Sequence, residues 1–282
     1  MQKTDFTIPV LIILYRRVKQ THFLFNALQE LQPRTIYIFA DAPANENERP
    51  YCEEVRKIFG SISWTSEVKH FYKEKHSGGS TQAVPEALSW FFSNEKEGII
   101  LEDDCVPNKA FFNFCSENIH QVDVAKNIFQ LSGTNLRGET NEPCRPTSYI
   151  IPPWGWASTK EAWSHFDADF SLWRKLQETI RERTTDHKFW LKLYERNEIT
   201  RISWDLQWML SVWKAEGYSL MPSHNLIKNT GFDKYATLTG NASNPAASLP
   251  VFSIYNINSE LQINRNAESL LEKKVIEFID LL

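Results

Sequence analysis

The run Pro9-Val10-Leu11-Ile12-Ile13-Leu14 is short, unbroken and rich in β-branched residues, and Arg16-Arg17 comes almost directly after it. An apolar stretch of this length without alternation reads as a strand buried on both faces, the situation of a parallel sheet covered by helices. The chain supplies those covers. Leu24, Ala27, Leu28 and Leu31 recur at i, i+3, i+4 and i+7 before Pro33 stops the pattern. Residues 35–40 (TIYIFA) give a second buried strand, 49–59 a second helix, and 62–68 a weaker third strand. After the flexible loop His76-Ser77-Gly78-Gly79-Ser80 comes a helix with Leu88, Phe91 and Phe92 on one face. Pro85 is expected in that helix's first turn, where a missing N–H costs little. Gly98-Ile99-Ile100-Leu101 is a further buried strand. Strand alternating with helix predicts an α/β fold with right-handed crossovers.

The strands end in charge. The first runs into Arg16-Arg17, the second into Asp41, the later one into Glu102-Asp103-Asp104. In open α/β sheets ligands bind beyond the carboxyl ends of strands, so these charges are expected to meet on one rim. Carboxylates directly after a buried strand, steadied by Pro107, suit a hard divalent cation such as Mg²⁺ or Mn²⁺. The plainer alternative is a solvated turn leading into a helix at about Asn108.

Two later segments carry further candidates. Ile150-Ile151-Pro152-Pro153-Trp154-Gly155-Trp156-Ala157 leads into Ser158-Thr159-Lys160-Glu161, which reads as a capping box. Trp154 and Trp156 on a loop could offer flat faces to a sugar or could form a packing corner. Ser203 reads as an N-cap, with Trp204, Trp208, Met209, Val212 and Trp213 at helical spacing behind it. Asp205 borders this aromatic stripe. Lost solvation there would make it a stronger base, whereas a first-turn aspartate can also simply complement the helix dipole.

Bulk properties narrow the partners. The net charge of -4 leaves no basic excess for phosphate backbones, so nucleic acid is not expected. Cys52, Cys105, Cys115 and Cys144 form no CxxC pair or metal-ligand spacing. The opening MQKTDFTIPV has no secretory pattern, and the run at 9–14 is too short to span a bilayer. A reducing cytoplasmic setting is expected, with peripheral contact at the inner face of the cell membrane left open. Residues 241–250 read as a mobile loop. The stretch 270–282 reads as an amphipathic helix docking through Leu271, Val275, Phe278 and Ile279.

Taken in order, PVLIILYRR, YIFADAP, ALSWFF, GIILEDDCVPNKAFF, PWGWAS, SWDLQW and NLIKNTGFDKYATLT, from residue 9 to residue 239, resemble a bacterial group of GT-A nucleotide-diphospho-sugar glycosyltransferases. That group is distantly similar to N-acetylglucosaminyltransferase I. The resemblance implies one GT-A domain over 1–282, with a Rossmann-like mixed, mostly parallel sheet flanked by helices. Within it, 1–120 would bind nucleotide, 121–240 the acceptor, and 241–282 would form a closing loop and helix. It implies that Arg17 and Asp41 hold the nucleotide, Asp41 at the base, with Gly78 beside the donor. Glu102 and Asp103 would anchor the donor and Asp104 would ligate Mn²⁺ or Mg²⁺. Trp154, Gly155 and Trp156 would line the sugar site, and Asp205 would be the general base of an inverting transfer. The donor implied is a nucleotide-diphospho-sugar, UDP-sugar favoured. The acceptor implied is a glycan or lipid-linked glycan of bacterial surface polysaccharide synthesis. Two departures stand out. Leu238 replaces a histidine usual in the group, and His76-Ser77-Gly78 replaces Asn-Leu-Gly. The rival from another class is a nucleotide-sugar-binding, carbohydrate-binding or scaffolding module that kept the fold and lost catalysis. A sugar-nucleotide pyrophosphorylase is disfavoured because Tyr15-Arg16-Arg17 stands where a glycine-rich phosphate loop would be needed.

Overall fold

The computed structural model describes residues 6–64, 66–136, 147–201, 203–232, 244–254 and 265–280. The first apolar run becomes strand β1 (Val10–Leu14), buried throughout. Helix α1 (Val18–Leu31) buries Leu24, Leu28 and Leu31 and ends where Gln32 turns left-handed at φ 55°. Strand β2 (Thr35–Ala40) pairs parallel with β1, and helix α2 (Arg49–Gly60) opens with proline in its first turn. The third strand, β3 (Glu67–Tyr72), begins five residues later than its apolar pattern suggested. It is a half-exposed edge strand, so its position is set by hydrogen bonding to β2, with Val68 opposite Ile36, and not by a buried face.

Helix α3 (Ser80–Asn94) also differs from expectation. It starts directly after Gly79, whose φ of 123° suits glycine, so Pro85 lies inside the helix and not in its first turn. Strand β4 (Glu97–Glu102) pairs parallel with the other side of β1. Gly98 brings this strand against α3, since a Cβ there would collide with the Phe91 ring. A short strand β5 (Cys105–Pro107) comes next, and Asn108 caps helix α4 (Lys109–Asn118) by accepting from the Phe111 N–H at 3.0 Å.

The chain then adds β6 (Ile128–Ser132), β7 (Thr147–Ser148) and β8 (Trp156–Thr159). Helices α5 (Lys160–Trp163), α6 (Gln177–Arg183), α7 (His187–Thr200) and α8 (Trp204–Lys214) come after them. Strands β9 (Tyr218–Leu220) and β10 (Ile227–Asn229) precede the last helix, α9 (Arg265–Asp280). The expected Ser158 capping box gives way to Thr159, whose hydroxyl accepts from the Ala162 N–H at 3.2 Å, while the Ser158 hydroxyl is committed to the Phe129 carbonyl at 2.6 Å. The large sheet runs β3-β2-β1-β4-β8-β6-β9-β7, mixed and mostly parallel, flanked by helices, as a Rossmann-like GT-A fold would be. β5 and β10 form a separate antiparallel pair.

One reversal positions the site. β8 lies antiparallel between β4 and β6, with Ile100 opposite Trp156. Its beginning, not its end, therefore reaches the rim where β1, β2 and β4 terminate, and the chain just before it carries Trp154 there. Trp156 itself turns inward. It is 1 % exposed, stacked on Trp204 at 6.1 Å and tilted against Trp208 at 5.9 Å, so the face expected to meet sugar is spent on packing.

Most of the ten tryptophans share that fate. Two of them donate their indole N–H to internal acceptors, Trp208 to Gln130 at 2.8 Å and Trp213 to the Tyr149 carbonyl at 2.7 Å. Cys52, Cys105 and Cys115 are buried and free, while Cys144 and the segment around Leu238 lie outside the described residues. Part of the stretch expected as a loop forms a short 3-10 turn at Pro245–Ser248. No helix among the described residues is long and apolar enough to cross a membrane.

Candidate active site

A cavity of about 320 Å³ opens at the rim. Arg16 and Arg17 beyond β1, Asp41 beyond β2, and Glu102 at the end of β4 with Asp103 and Asp104 after it all line it. Trp154 and, from the start of α8, Trp204 and Asp205 complete the lining. The predicted charges thus meet, together with the late aspartate. Of the glycines, Gly79 reaches the cavity while Gly78 stands just behind it at φ 93°. Gly155 stays off the lining and makes the turn into β8 at φ 59°.

The partners within the cavity qualify several expected roles. The Arg17 guanidinium donates to Asp103 at 3.1 Å and also to Asp104, so it bridges the acids and does not stand open to a nucleotide. Burial would lower its pKa, but the charges of Asp104, Asp103 and Glu102 outweigh that and raise it. Asp41 is similarly engaged. Its carboxylate accepts from the Ala42 N–H at 2.8 Å and from the Ser77 N–H and hydroxyl at 3.0 Å, and it lies 3.1 Å from His76 Nδ1. As placed, Asp41 fastens the 76–79 loop over the rim, where sequence reading had it recognise a base.

The acids outnumber their cation. Burial, then repulsion from Asp104, pushes the Glu102 carboxyl up to about 8, with Arg17 opposing and Asp103 and Asp205 adding. Asp103 is pushed up to about 6, again chiefly by burial, against the pull of Arg17. A site whose carboxylates hold protons this tightly is short of positive charge. Among the described residues no three histidine, cysteine or acidic side chains converge as a ready metal cage. Mg²⁺-like ions, however, commonly take one or two carboxylates and complete their shell with water and substrate phosphates. Hard oxygen donors and surplus negative charge therefore fit a divalent cation held jointly with a substrate.

The segment after β10 supports the triplet from behind. The Thr230 N–H donates to the Asp104 carbonyl at 2.8 Å. Gly231 packs so closely that a Cβ there would collide with the Asp104 carboxylate.

Asp205 sits where α8 begins. Ser203 occupies the N-cap position but turns its hydroxyl to the Asp205 carboxylate instead of to the helix. Ser203 is itself fixed by Asn197, which accepts from its N–H at 3.1 Å and donates to its carbonyl at 3.0 Å. Burial raises the Asp205 pKa, against the Ser203 hydroxyl and the backbone N–H groups of residues 205 and 206. It is thus both a helix-start carboxylate and a desolvated one facing the cavity.

Sequence reading missed Tyr15, Glu48, His76 and Asn229, which also line the cavity. Tyr15 and Arg16 both donate to Glu48, and Tyr15 stacks on His76 at 5.4 Å. Tyr15 and His76 stood inside segments already singled out. Glu48 precedes α2 with no local pattern to mark it.

No protein-family model and no curated protein matches the chain. Solved structures that superpose on it include an active-site mutant of LgtC, at 8 % identity and TM-score 0.38, covering 76 % of this chain and 72 % of that one. GlyE of Streptococcus pneumoniae TIGR4, described as a glycosyltransferase, superposes at 12 % identity and TM-score 0.37, over 77 % of this chain but 45 % of its own. Mouse xyloside xylosyltransferase 1 does so at 8 % identity and TM-score 0.39, over 74 % and 82 %. Agreement this loose assigns neither activity nor substrate.

Proposed function

We propose that the chain is an inverting glycosyltransferase that moves a sugar from a nucleotide-diphospho-sugar, a UDP-sugar by preference, to an acceptor hydroxyl. The observation that carries this is the cavity itself, which brings an acid triplet, an arginine-bearing strand end and a helix start together with a desolvated aspartate. The ordered GT-A-like segments of the sequence point the same way.

Each part has a task. The N-terminus of α3 carries no side-chain cap, and Gly79 and Ser80 present it to the cavity, so its free N–H groups suit a diphosphate. Arg16, paired with Glu48, lines the same cavity. Asp104, with Glu102 beside it, would hold Mn²⁺ or Mg²⁺, whose contribution is Lewis-acid stabilisation of a departing diphosphate. Asp205 takes the proton of the acceptor hydroxyl. The freed oxygen bonds to the anomeric carbon as the bond from that carbon to the diphosphate oxygen breaks. The electron pair leaves with the diphosphate, and the anomer inverts. The acceptor is a glycan or lipid-linked glycan, met at the cytoplasmic face of a membrane.

Thermal stabilisation by UDP, with and without Mn²⁺, tests the donor half. Ligand at a hundred times its Kd should add about 2.7 kcal/mol of stability. No shift with any nucleotide, in either condition, would leave the inactive binding module as the better reading.

A further inference from the structure

A second cavity, about 430 Å³, lies behind the first and differs from it in chemistry. Its walls are apolar, from Ile150 and Ile151, from Leu206 and Met209 on α8, and from Val275 and Phe278 on α9. Pro153, Trp154 and Asp205 belong to both cavities. Asp205 therefore stands on the partition, one carboxylate at the inner end of a greasy chamber.

The outer wall is built and anchored. Glu272 of α9 is 3 % exposed, and its carboxylate accepts from the Thr185 N–H at 2.8 Å, the Asp186 N–H at 3.0 Å and the Trp190 indole at 2.8 Å. One turn earlier Glu268 accepts from the Ser148 hydroxyl and the Tyr149 N–H, both at 2.9 Å. These charge-assisted bonds fix α9 at the depth that leaves the chamber open behind Val275 and Phe278. Arg196 and Thr200, exposed on α7, stand at its edge.

Resting on the transferase reading for the role of Asp205, we infer that this chamber takes the body of the acceptor, and that the acceptor is an amphiphile. Its reacting hydroxyl meets Asp205 while an alkyl or aryl group fills the apolar space. A free sugar would leave that space unfilled and would gain nothing from the apolar walls, whereas each buried methylene is favoured by water exclusion. The acceptor proton passes to Asp205 and the new glycosidic bond forms across the partition, with the diphosphate leaving on the far side.

Butyl, hexyl and octyl glucosides, each below its micellar concentration, probe the chamber by calorimetric titration of the full chain. Affinity should rise about fourfold per added methylene. Val275→Trp and, separately, Ile279→Trp fill the chamber from a helix that does not reach the first cavity. Each should weaken octyl glucoside at least tenfold while UDP stabilisation stays as in the parent, which also certifies folding. Affinity indifferent to chain length, or a chain-length effect that both variants leave intact, overturns the inference. The two readings fail separately. UDP stabilisation without chain-length dependence removes the amphiphile and keeps the transferase. Chain-length dependence lost in both variants, with parental urea midpoints certifying their folding and without any nucleotide effect, keeps the apolar ligand class and removes the donor.

Discussion

The two sides of the cavity solve opposite problems. Around the ends of β1, β2 and β4 the charges are engaged with one another, Arg17 with Asp103 and Asp104, Arg16 with Glu48, and Asp41 with its own loop, and the acids remain in excess. At the start of α8 the Asp205 carboxylate accepts from the Ser203 hydroxyl and lines the cavity together with Trp154 and Trp204. A network of mutual charges makes each member a matter of stability as well as binding. On the proposed function, the carboxylate of Asp205 contributes to chemistry, and its alteration should cost little stability.

The sharpest way to break this contrast is Asp205→Asn. Loss of a general base should lower kcat by about 10²–10⁴-fold, with UDP stabilisation near that of the parent. Steady-state nucleotide release measures the first and a thermal melt the second, and turnover retained at parental level removes Asp205 from the chemistry. Next in size, Arg17→Met leaves two buried acids without their cation, and breaking a buried pair this way costs about 3–5 kcal/mol. Urea unfolding reads the loss, which Asp104→Asn in the same chain should partly restore. No loss would mean the rim acids do not depend on one another.

A third test uses pH. Glu102 ordinarily titrates near 4.5 and in the fold near 8, so between those values the native state holds a proton the unfolded chain has released. Stability of the metal-free protein should therefore fall as pH rises from 5 to 8, and Glu102→Gln should flatten the slope. Melting temperatures follow it, at about 2–4 °C per kcal/mol for a chain of this class. A stability that rises over this range would contradict the stated cause. Smallest of the four, Trp154→Ala should raise an apparent KM about tenfold, a loss of about 1.4 kcal/mol, and leave the urea midpoint almost unchanged because Trp154 is only half-buried. An unchanged KM would make this residue a partition and no more.

How far the sequence could be read follows the same divide. β1, β2 and β4 were legible because burial on both faces leaves a continuous apolar run, and their charged ends had only one rim to reach. β3 was not, since an edge strand is specified by the partner it bonds. The reversed course of β8 left no local trace, which is why Trp154 and Trp156, two residues apart, looked equivalent and came to face cavity and core. Arg17 and Asp41 were found as site residues, but their present partners were hidden. Asp103 is 86 positions from Arg17, and Ser77 is 36 from Asp41. The second cavity was invisible for the same reason, as its walls come from segments more than a hundred residues apart.

Gly231 has a consequence for how this site can vary. Its lack of a side chain is required by space alone, because the nearest obstacle is the carboxylate of Asp104. In a saturation library every substitution at 231 would push on that carboxylate, so the position should tolerate almost nothing although it offers no functional group of its own. On the proposed function, a screen scoring donor use would rank this silent glycine beside the acids, and only its neighbour across the gap explains why.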